Sequence, residues 1–250
     1  MRSNTQNVVE EIKYFDQVGA GGYDTISPEE FDTMYSYIKK YKLQGLVLDA
    51  GCGAGSFGKR LISKNSKVNV TGVDINAQFI EQINKAKIKN YQAICANLEV
   101  RSLFSKNQFD FILFPYVLHH FPDIAKVIRN AHFWLKKNGR IIILDPNGSN
   151  LILKVSYMYR SVMFYLFPSK AYLWGSVNEK HIPVSVFEKN LIKQFQILEM
   201  KTFSFKAPNI HKGSFVGFLI DTRSWLLRTY SRIPYVKYSG SDLFIVCKKK

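Results

Sequence analysis

The sequence predicts an α/β fold: a doubly wound, mostly parallel seven-stranded sheet with a C-terminal antiparallel hairpin and helical cap insertions. Three observations lead to this expectation. Short apolar runs alternate with helical patterns from about residue 43 to residue 147. Several of these runs are continuously apolar, as strands covered on both faces are. Two further strand-like runs lie near the end of the chain, without an ordinary crossover helix between them.

Five strand-like runs come first, in the order LVLDA, VNVTGVDI, YQAICA, FDFILFP and RIIILDP. The segment after the first run has Phe57 and Leu61 on one helical face. After the second run, Asn76 is a good N-cap for a helix that turns Phe79 and Ile83 inward. Strands separated by helices run parallel, through right-handed crossovers.

A third helix is expected between the fourth and fifth strands, in DIAKVIRNAHFWLKKNG. Its apolar residues fall on one stripe, and Gly139 is the expected C-cap. The two last strands, QFQILEMKTFSF and SDLFIVCKKK, are expected to form an antiparallel pair at one edge of the sheet.

We expect a single domain over residues 1–250. It would comprise a helical lead-in at 1–42, a cofactor-binding core at 43–147 and a lid or cap at 148–190, followed by C-terminal strands with an apolar helical excursion at 191–250. The N-terminus lacks the apolar stretch of a secretion signal, and no run reaches the ~20 apolar residues of a spanning helix.

The chain is strongly basic, with a formal net charge of +16. Such a charge favours an anionic partner, namely nucleic acid, an anionic membrane surface or an acidic substrate, unless it is only a lysine-rich solvated surface. The three cysteines show no metal-ligand spacing, and we predict no metal site. Scattered cysteines in odd number favour a reducing, cytoplasmic location.

The stretch LVLDAGCGAG places three glycines at a turn from strand to helix. Only glycine lets the backbone approach a ligand so closely there. The dinucleotide fingerprint GxGxxG would need a glycine at Ser56. Asp49 would also repel a pyrophosphate, so a ligand with a positive ammonium or sulfonium group suits this turn better.

A second acid, Asp74, ends the second strand, where a carboxylate can accept both hydroxyls of a ribose. Ile75 follows and can pack on an adenine, and the amide of Asn97 can pair with an adenine edge. Each residue alone is equally explained as a turn former. Together, at the carboxyl ends of consecutive strands, they indicate a nucleoside site.

The motifs VLDAGCGAG, GVDIN, FDFILFPYVLHHF, LKKNGRIIILDPN and DLFIVCKKK resemble those of class I S-adenosylmethionine-dependent methyltransferases, in the subgroup acting on small molecules, lipids and sugars. The resemblance is strong over residues 43–147 and weak at the C-terminal strand. It implies S-adenosyl-L-methionine as cofactor and methyl transfer as reaction, with an acceptor that is a small molecule, a lipid or a glycan precursor.

The resemblance also implies roles for individual residues. Asp49 would face the methionine ammonium, Asp74 would hold the ribose hydroxyls and Asn97 stands where the family usually has an aspartate. The full implied cofactor set is Asp49, Gly51, Gly53, Asp74, Ile75, Asn97, Leu98, Phe114 and Pro115.

If the acceptor is a hydroxyl, a general base assists, and histidine is the usual choice near neutral pH. His119 and His181 are the candidates, and Glu179 lies close to the second. A purely structural role is open for each: His119 can pack a helix onto the sheet, and His181 can be a surface residue. Asp145 and Asn147 end the fifth strand and would face the same rim.

The segment LILKVSYMYRSVMFYLFPSKAYLWG is rich in aromatic residues, with Leu151, Val155, Met158, Val162 and Tyr165 at helical spacing. It fits a cap over the substrate side, a site for a long apolar substrate or a helix at an anionic membrane surface. We therefore expect a cytoplasmic methyltransferase acting on oxygen or nitrogen, peripheral to the membrane under the last interpretation. An RNA methyltransferase that uses the basic surface is the alternative, and a non-catalytic cofactor-binding regulator is a third.

Overall fold

The structure is a computed structural model, and it describes residues 9–17, 26–166, 179–180, 182–204, 222, 225–226, 229 and 239–250. Its centre is a seven-stranded sheet with strand order β3-β2-β1-β4-β5-β7-β6. The first five strands pair in parallel, and β7 runs antiparallel between β5 and β6. The predicted doubly wound sheet and its antiparallel edge hairpin are confirmed.

The strands have the following bounds: β1 Gly45–Ala50, β2 Val68–Asp74, β3 Tyr91–Cys95, β4 Phe109–Pro115, β5 Leu135–Pro146, β6 Phe195–Phe203 and β7 Asp242–Lys249. The helices are α1 (9–17), α2 Pro28–Ile38, α3 Ser56–Lys64, α4 Ala77–Lys85, α5 Ile124–Trp134, α6 Leu151–Leu166 and α7 Val184–Leu191. The described residues also contain three 3-10 turns, Lys39–Tyr41, Arg101–Leu103 and Leu118–His120, of which the last follows β4. Of the helices the structure describes, none combines the length and apolarity needed to cross a bilayer.

Both faces of the sheet are covered, which explains why the central strands β1, β4 and β5 carry continuous apolar runs. On one face, residues such as Leu48, Ile112 and Ile143 pack against α5 and α7. On the other, Val47 and Leu113 belong to a core that also contains residues of α2, α3 and α4. Successive residues of a strand alternate between these two cores.

Local sequence signals set the helix ends. Asn76 accepts hydrogen bonds from the backbone N–H groups of Gln78 and Phe79, as expected of the N-cap of α4. The prediction for Gly139 is wrong. Helix α5 ends at Trp134, and Gly139 lies inside β5, which begins at Leu135. The apolar stripe continues through Leu135, so the spacing alone suggested a longer helix.

A rigid junction joins β5 to α6 beyond the carboxyl ends of the strands. The side chain of Asn147 donates to Gly240 O at 2.7 Å, and that of Asn150 donates to Ser239 O at 2.6 Å. Asn150 Oδ1 also accepts from Leu153 N at 2.9 Å and caps α6. The N–H of Gly148 donates to Ile182 O at 3.1 Å. The start of α6 and the segment that precedes α7 are thereby held beside the same rim.

Candidate active site

The glycine turn after β1 leaves backbone exposed where a ligand can approach. Gly51, Gly53 and Gly55 all have positive φ, in the left-handed region that favours glycine. A Cβ on Gly51 would lie 2.1 Å from Val117 Cγ2, so this glycine is required by packing. A Cβ on Gly53 would meet no atom within 4 Å, because Gly53 lines a cavity.

Asp74 lies at this cavity, at the end of β2. Its Oδ2 accepts from Gly53 N at 2.9 Å, and its Oδ1 accepts from Asn76 N at 3.0 Å. Burial raises the pKa of this carboxyl, while the two N–H groups oppose the rise by binding the ionised form. The carboxylate is thereby fixed in orientation beside the glycine turn.

Asp49 does not share that cavity, contrary to the sequence expectation that it faces the ligand. It is fully buried, and the hydroxyl of Tyr91 donates to its Oδ2 at 3.4 Å. The pleat explains this position, because Asp49 shares the face of Val47, which is covered by α3. Its Oδ1 has no hydrogen-bond partner among the described residues, and burial raises the pKa of Asp49 to about 7.

Most of the other expected cofactor residues line the cavity, and one does not. Ile75, Asn97, Leu98 and Pro115 line the cavity. Phe114 is fully buried in the core on the α5 side and does not line it. Asn97 Oδ1 accepts from Glu99 N at 2.8 Å, which is the turn geometry considered as its structural alternative.

The cavity has a volume of about 440 Å³, within the usual range for small-molecule sites. Its described lining carries six carboxylates and no lysine or arginine; the acidic residues are Glu11, Glu30, Asp74, Glu99, Glu179 and Asp242. This contrasts with the net charge of +16 for the whole chain. The aromatic side chains in the lining come from Phe15, Phe57, Phe79, Tyr116 and Phe121. The site therefore suits cationic and uncharged ligands.

His119 lies in the cavity wall and forms a buried pair with Asp145. The distance from His119 Nδ1 to Asp145 Oδ1 is 2.7 Å, and both side chains are almost completely buried. Burial lowers the pKa of His119, but the Asp145 carboxylate, together with Glu179 and Glu11, raises it by more, and the net pKa lies above the usual value for histidine. Because a carboxylate only accepts, Nδ1 carries the proton and Nε2 is the acceptor of the neutral ring.

A second histidine–carboxylate pair closes the cavity from the side of α1. His120 Nδ1 lies 2.7 Å from Glu11 Oε1. Phe15 of the same helix makes edge contacts with the rings of His120 and Phe79, with centroid distances of 5.6 and 6.4 Å. Asp16 accepts from Asn76 Nδ2 at 2.9 Å. Helix α1 is thus tied to the rim and forms part of the cavity wall.

Two tyrosines complete the polar groups around the histidines. Tyr116, which has a positive φ of 55°, donates its hydroxyl to Asp242 Oδ1 at 2.9 Å. Tyr157 of α6 donates to Glu179 Oε1 at 2.5 Å. Lys180 N donates to His119 O at 3.0 Å, which holds Glu179 against the cavity. His181, the other candidate base, lies outside the described residues.

Sequence reasoning missed several residues of this site, in particular Glu11, Phe15 and Tyr116. Glu11 and Phe15 lie in a helical lead-in whose sequence carries no binding motif. Tyr116 lies inside the motif FDFILFPYVLHHF, but the resemblance implies no role for it. The described residues contain no group of three side chains arranged to hold a metal ion.

Comparisons with known proteins agree with this geometry. A family model described as a methyltransferase domain matches residues 44–195. The chain is 28% identical to phosphoethanolamine N-methyltransferase 1 of wheat, Triticum aestivum, over 54% of this chain and 27% of the wheat enzyme. It is 24% identical to a ubiquinone/menaquinone biosynthesis C-methyltransferase of Geotalea daltonii, over 69% of this chain and 75% of that enzyme.

Among solved structures, the chain is similar to a SAM-dependent methyltransferase of Archaeoglobus fulgidus, with a TM-score of 0.58 and 18% identity. The likeness covers 88% of this chain and 92% of that one, and at this identity it bears on the fold. The open face of Gly53, the fixed carboxylate of Asp74 and the acidic lining fit an adenosyl ligand with a positive sulfonium.

Proposed function

The chain belongs to the methyltransferase domain family, in the class I group that uses S-adenosyl-L-methionine, and we propose that it methylates a hydroxyl group of an uncharged, largely apolar small molecule. The observation that carries this proposal is the buried pair that His119, a residue of the cavity wall, forms with Asp145. The bound cofactor supplies a methyl group that its sulfonium already activates.

In this proposal the chain aligns the acceptor and removes its proton. His119 Nε2 accepts the proton of the acceptor hydroxyl. Asp145 holds the ring through Nδ1 and stabilises the imidazolium that results. The acidic residues of the cavity also favour the charged imidazolium, since Glu179 and Glu11 both raise the pKa of His119.

The lining supports an uncharged acceptor. Six carboxylates and no described lysine or arginine surround the cavity, so a phosphate on the acceptor would be repelled. The phenylalanines of the wall favour an apolar or aromatic body. Relatives are named for methylation of nitrogen, carbon and oxygen, so family membership leaves the acceptor atom open. The His119–Asp145 pair favours oxygen, because a hydroxyl must lose a proton to become a good nucleophile.

The test pairs matched acceptors with S-adenosyl-L-methionine labelled in its methyl group. Each pair contains a neutral hydroxylated compound and its phosphate ester, drawn from phenols, prenylated phenols and long-chain alcohols. We expect label in neutral compounds as an ether and none in the phosphate esters. Label confined to phosphorylated acceptors or RNA, or recovered only on nitrogen, would contradict the proposal.

A further inference from the structure

Helix α6 presents a continuous apolar stripe to solvent. Its side chains are between 49% and 86% exposed, and they are Leu151, Val155, Met158, Val162, Tyr165 and Leu166. At about 100° per residue, these positions fall within roughly 100° of the helix circumference. A stripe of this width is the part of an amphipathic helix that normally packs against something apolar. We call these six residues the α6 stripe.

The α6 stripe is not the face by which the helix packs on its own chain. Leu153, on another face, is buried, and Tyr157 binds Glu179 at the cavity. Asn150 fixes the beginning of the helix to Ser239 O. The helix is therefore held by one side while the α6 stripe faces outward.

The charge around the α6 stripe selects one kind of partner. The sequence of α6 contains Lys154 and Arg160 and no acidic residue. Lys154 is exposed and lies about 60° from Leu151 around the helix. The whole chain carries a net charge of +16. With 16 residues, α6 is shorter than the ~20 residues that span a bilayer. An apolar face edged with lysine, on a basic chain, matches the interface of an anionic bilayer.

We propose that α6 lies in the surface of an anionic phospholipid bilayer, with the α6 stripe turned towards the acyl chains. Lys154 then lies at the level of the headgroups. Because Tyr157 connects α6 to the cavity, the bilayer lies next to the acceptor side of the site. An apolar hydroxyl compound can then enter from the lipid without crossing water. This step rests on the proposed function, which makes such a compound the acceptor.

The experiment measures vesicle binding of the full chain by flotation. The vesicles contain either phosphatidylcholine alone or phosphatidylcholine with 30–40% phosphatidylglycerol, a composition that supplies the anionic headgroups. The variant Met158→Glu/Val162→Glu is compared with Ile192→Glu. Ile192 is 60% exposed, which is similar to the α6 stripe. It precedes β6 and lies at the end of the sheet opposite the carboxyl ends of β1 and β5. Calorimetry with S-adenosylhomocysteine checks that each variant is folded.

We expect the unchanged chain to float with the anionic vesicles, and the stripe variant to bind them at least tenfold more weakly. Ile192→Glu should bind like the unchanged chain. A second measurement does not depend on acidic substitutions: a polarity-sensitive fluorophore at Met158→Cys should shift to the blue on anionic vesicles, and one at Ile192→Cys should not, both in a Cys95→Ser background.

Absence of binding by the unchanged chain, equal binding by the stripe variant, or no blue shift at position 158 would overturn the proposal. A lipid-free dimer that the stripe variant converts to monomer in sedimentation would overturn it in favour of a second copy of the chain. These outcomes are separate from failure of the proposed function, because cofactor binding and methylation of a water-soluble acceptor are measured without lipid.

Discussion

The imidazole rings of His119 and His120 lie with their centroids 4.1 Å apart, and each ring binds a different carboxylate. His119 pairs with Asp145 at the end of β5, whereas His120 pairs with Glu11 of α1. The HH dipeptide therefore joins two parts of the site. One histidine faces the acceptor chemistry in our proposal, and the other fastens the helix that closes the cavity.

The first prediction concerns His119 as a general base. His119→Gln should lower kcat by about 10²–10⁴-fold, the usual contribution of acid–base catalysis, with little change in affinity for S-adenosylhomocysteine. In the unchanged chain, kcat should rise as the pH increases through the pKa of His119, because only the neutral ring accepts a proton. That pKa lies above the usual histidine value, owing to Asp145.

Asp145→Asn is the matched test of the same pair. Loss of the carboxylate should lower the pKa of His119, so the rising limb of the pH profile moves to lower pH while the maximal rate falls. A structural role for His119 alone would lower stability and leave the position of the pH profile unchanged. Rate measurements from pH 5 to 9, with thermal unfolding of each variant, separate the two roles.

The second prediction concerns Asp74 and the cofactor. Asp74→Asn removes the charge that binds the N–H groups of Gly53 and Asn76. We expect S-adenosylhomocysteine to bind about 10–100-fold more weakly by calorimetry, since hydrogen bonds to charged groups contribute about 1.5–3 kcal/mol. Asp110→Asn is the control, because Asp110 binds Leu46 N and Lys136 near the opposite ends of the strands. Equal affinity losses in both variants would contradict a specific role for Asp74.

The third prediction separates two glycines of one turn. Gly51→Ala should destabilise the fold, because its Cβ would lie 2.1 Å from Val117 Cγ2 and its φ is 70°. Gly53→Ala should cost only the ~1–2 kcal/mol of a left-handed alanine, because its Cβ meets open space. It should nevertheless weaken cofactor binding, since that space belongs to the cavity. Thermal unfolding and calorimetry on both variants test this split, and a larger stability loss at Gly53 would refute it.

Much of the fold follows from the sequence alone, because strand and helix periodicities are local properties. The mostly parallel, doubly wound sheet, the N-cap at Asn76 and the antiparallel edge pair are confirmed. The end of α5 was misplaced, because Leu135 continues the helical spacing while its backbone already belongs to β5. Periodicity records which side chains are buried, and a strand can bury the same side chain as a helix.

The site was predicted less completely, for a physical reason that applies to Asp49 and Phe114. The family resemblance implies cofactor contacts for both residues, at positions near the ends of their strands. Which face a strand residue occupies depends on the pleat and register, and a shift of one residue reverses the face. Contacts from α1 could not be read from sequence either, because Glu11 and Phe15 reach the cavity through tertiary packing.

The fourth prediction concerns Asp49 and the dependence of stability on pH. Burial raises its pKa from 3.8 to about 7 in the folded chain. Between these two pH values the folded chain binds the proton that the unfolded chain has lost, so this group makes stability fall as the pH rises from about 4 to 7. Asp49→Asn removes that contribution. The stability of the variant relative to the unchanged chain should therefore increase over this range in denaturant titrations. A constant difference would show that the pKa of Asp49 is not raised.

The last prediction concerns the pair that fastens α1. Glu11→Gln removes the charge that lies 2.7 Å from His120 Nδ1, while Phe15 keeps its ring contacts. Helix α1 should then leave the cavity more often, and S-adenosylhomocysteine should dissociate about tenfold faster, which corresponds to about 1.4 kcal/mol. Glu81→Gln is the control, because Glu81 pairs with Lys85 on the exposed face of α4. Stopped-flow dissociation measures both variants. If the rate in Glu11→Gln equals that of the unchanged chain, α1 is a fixed wall and the Glu11–His120 pair does not control release.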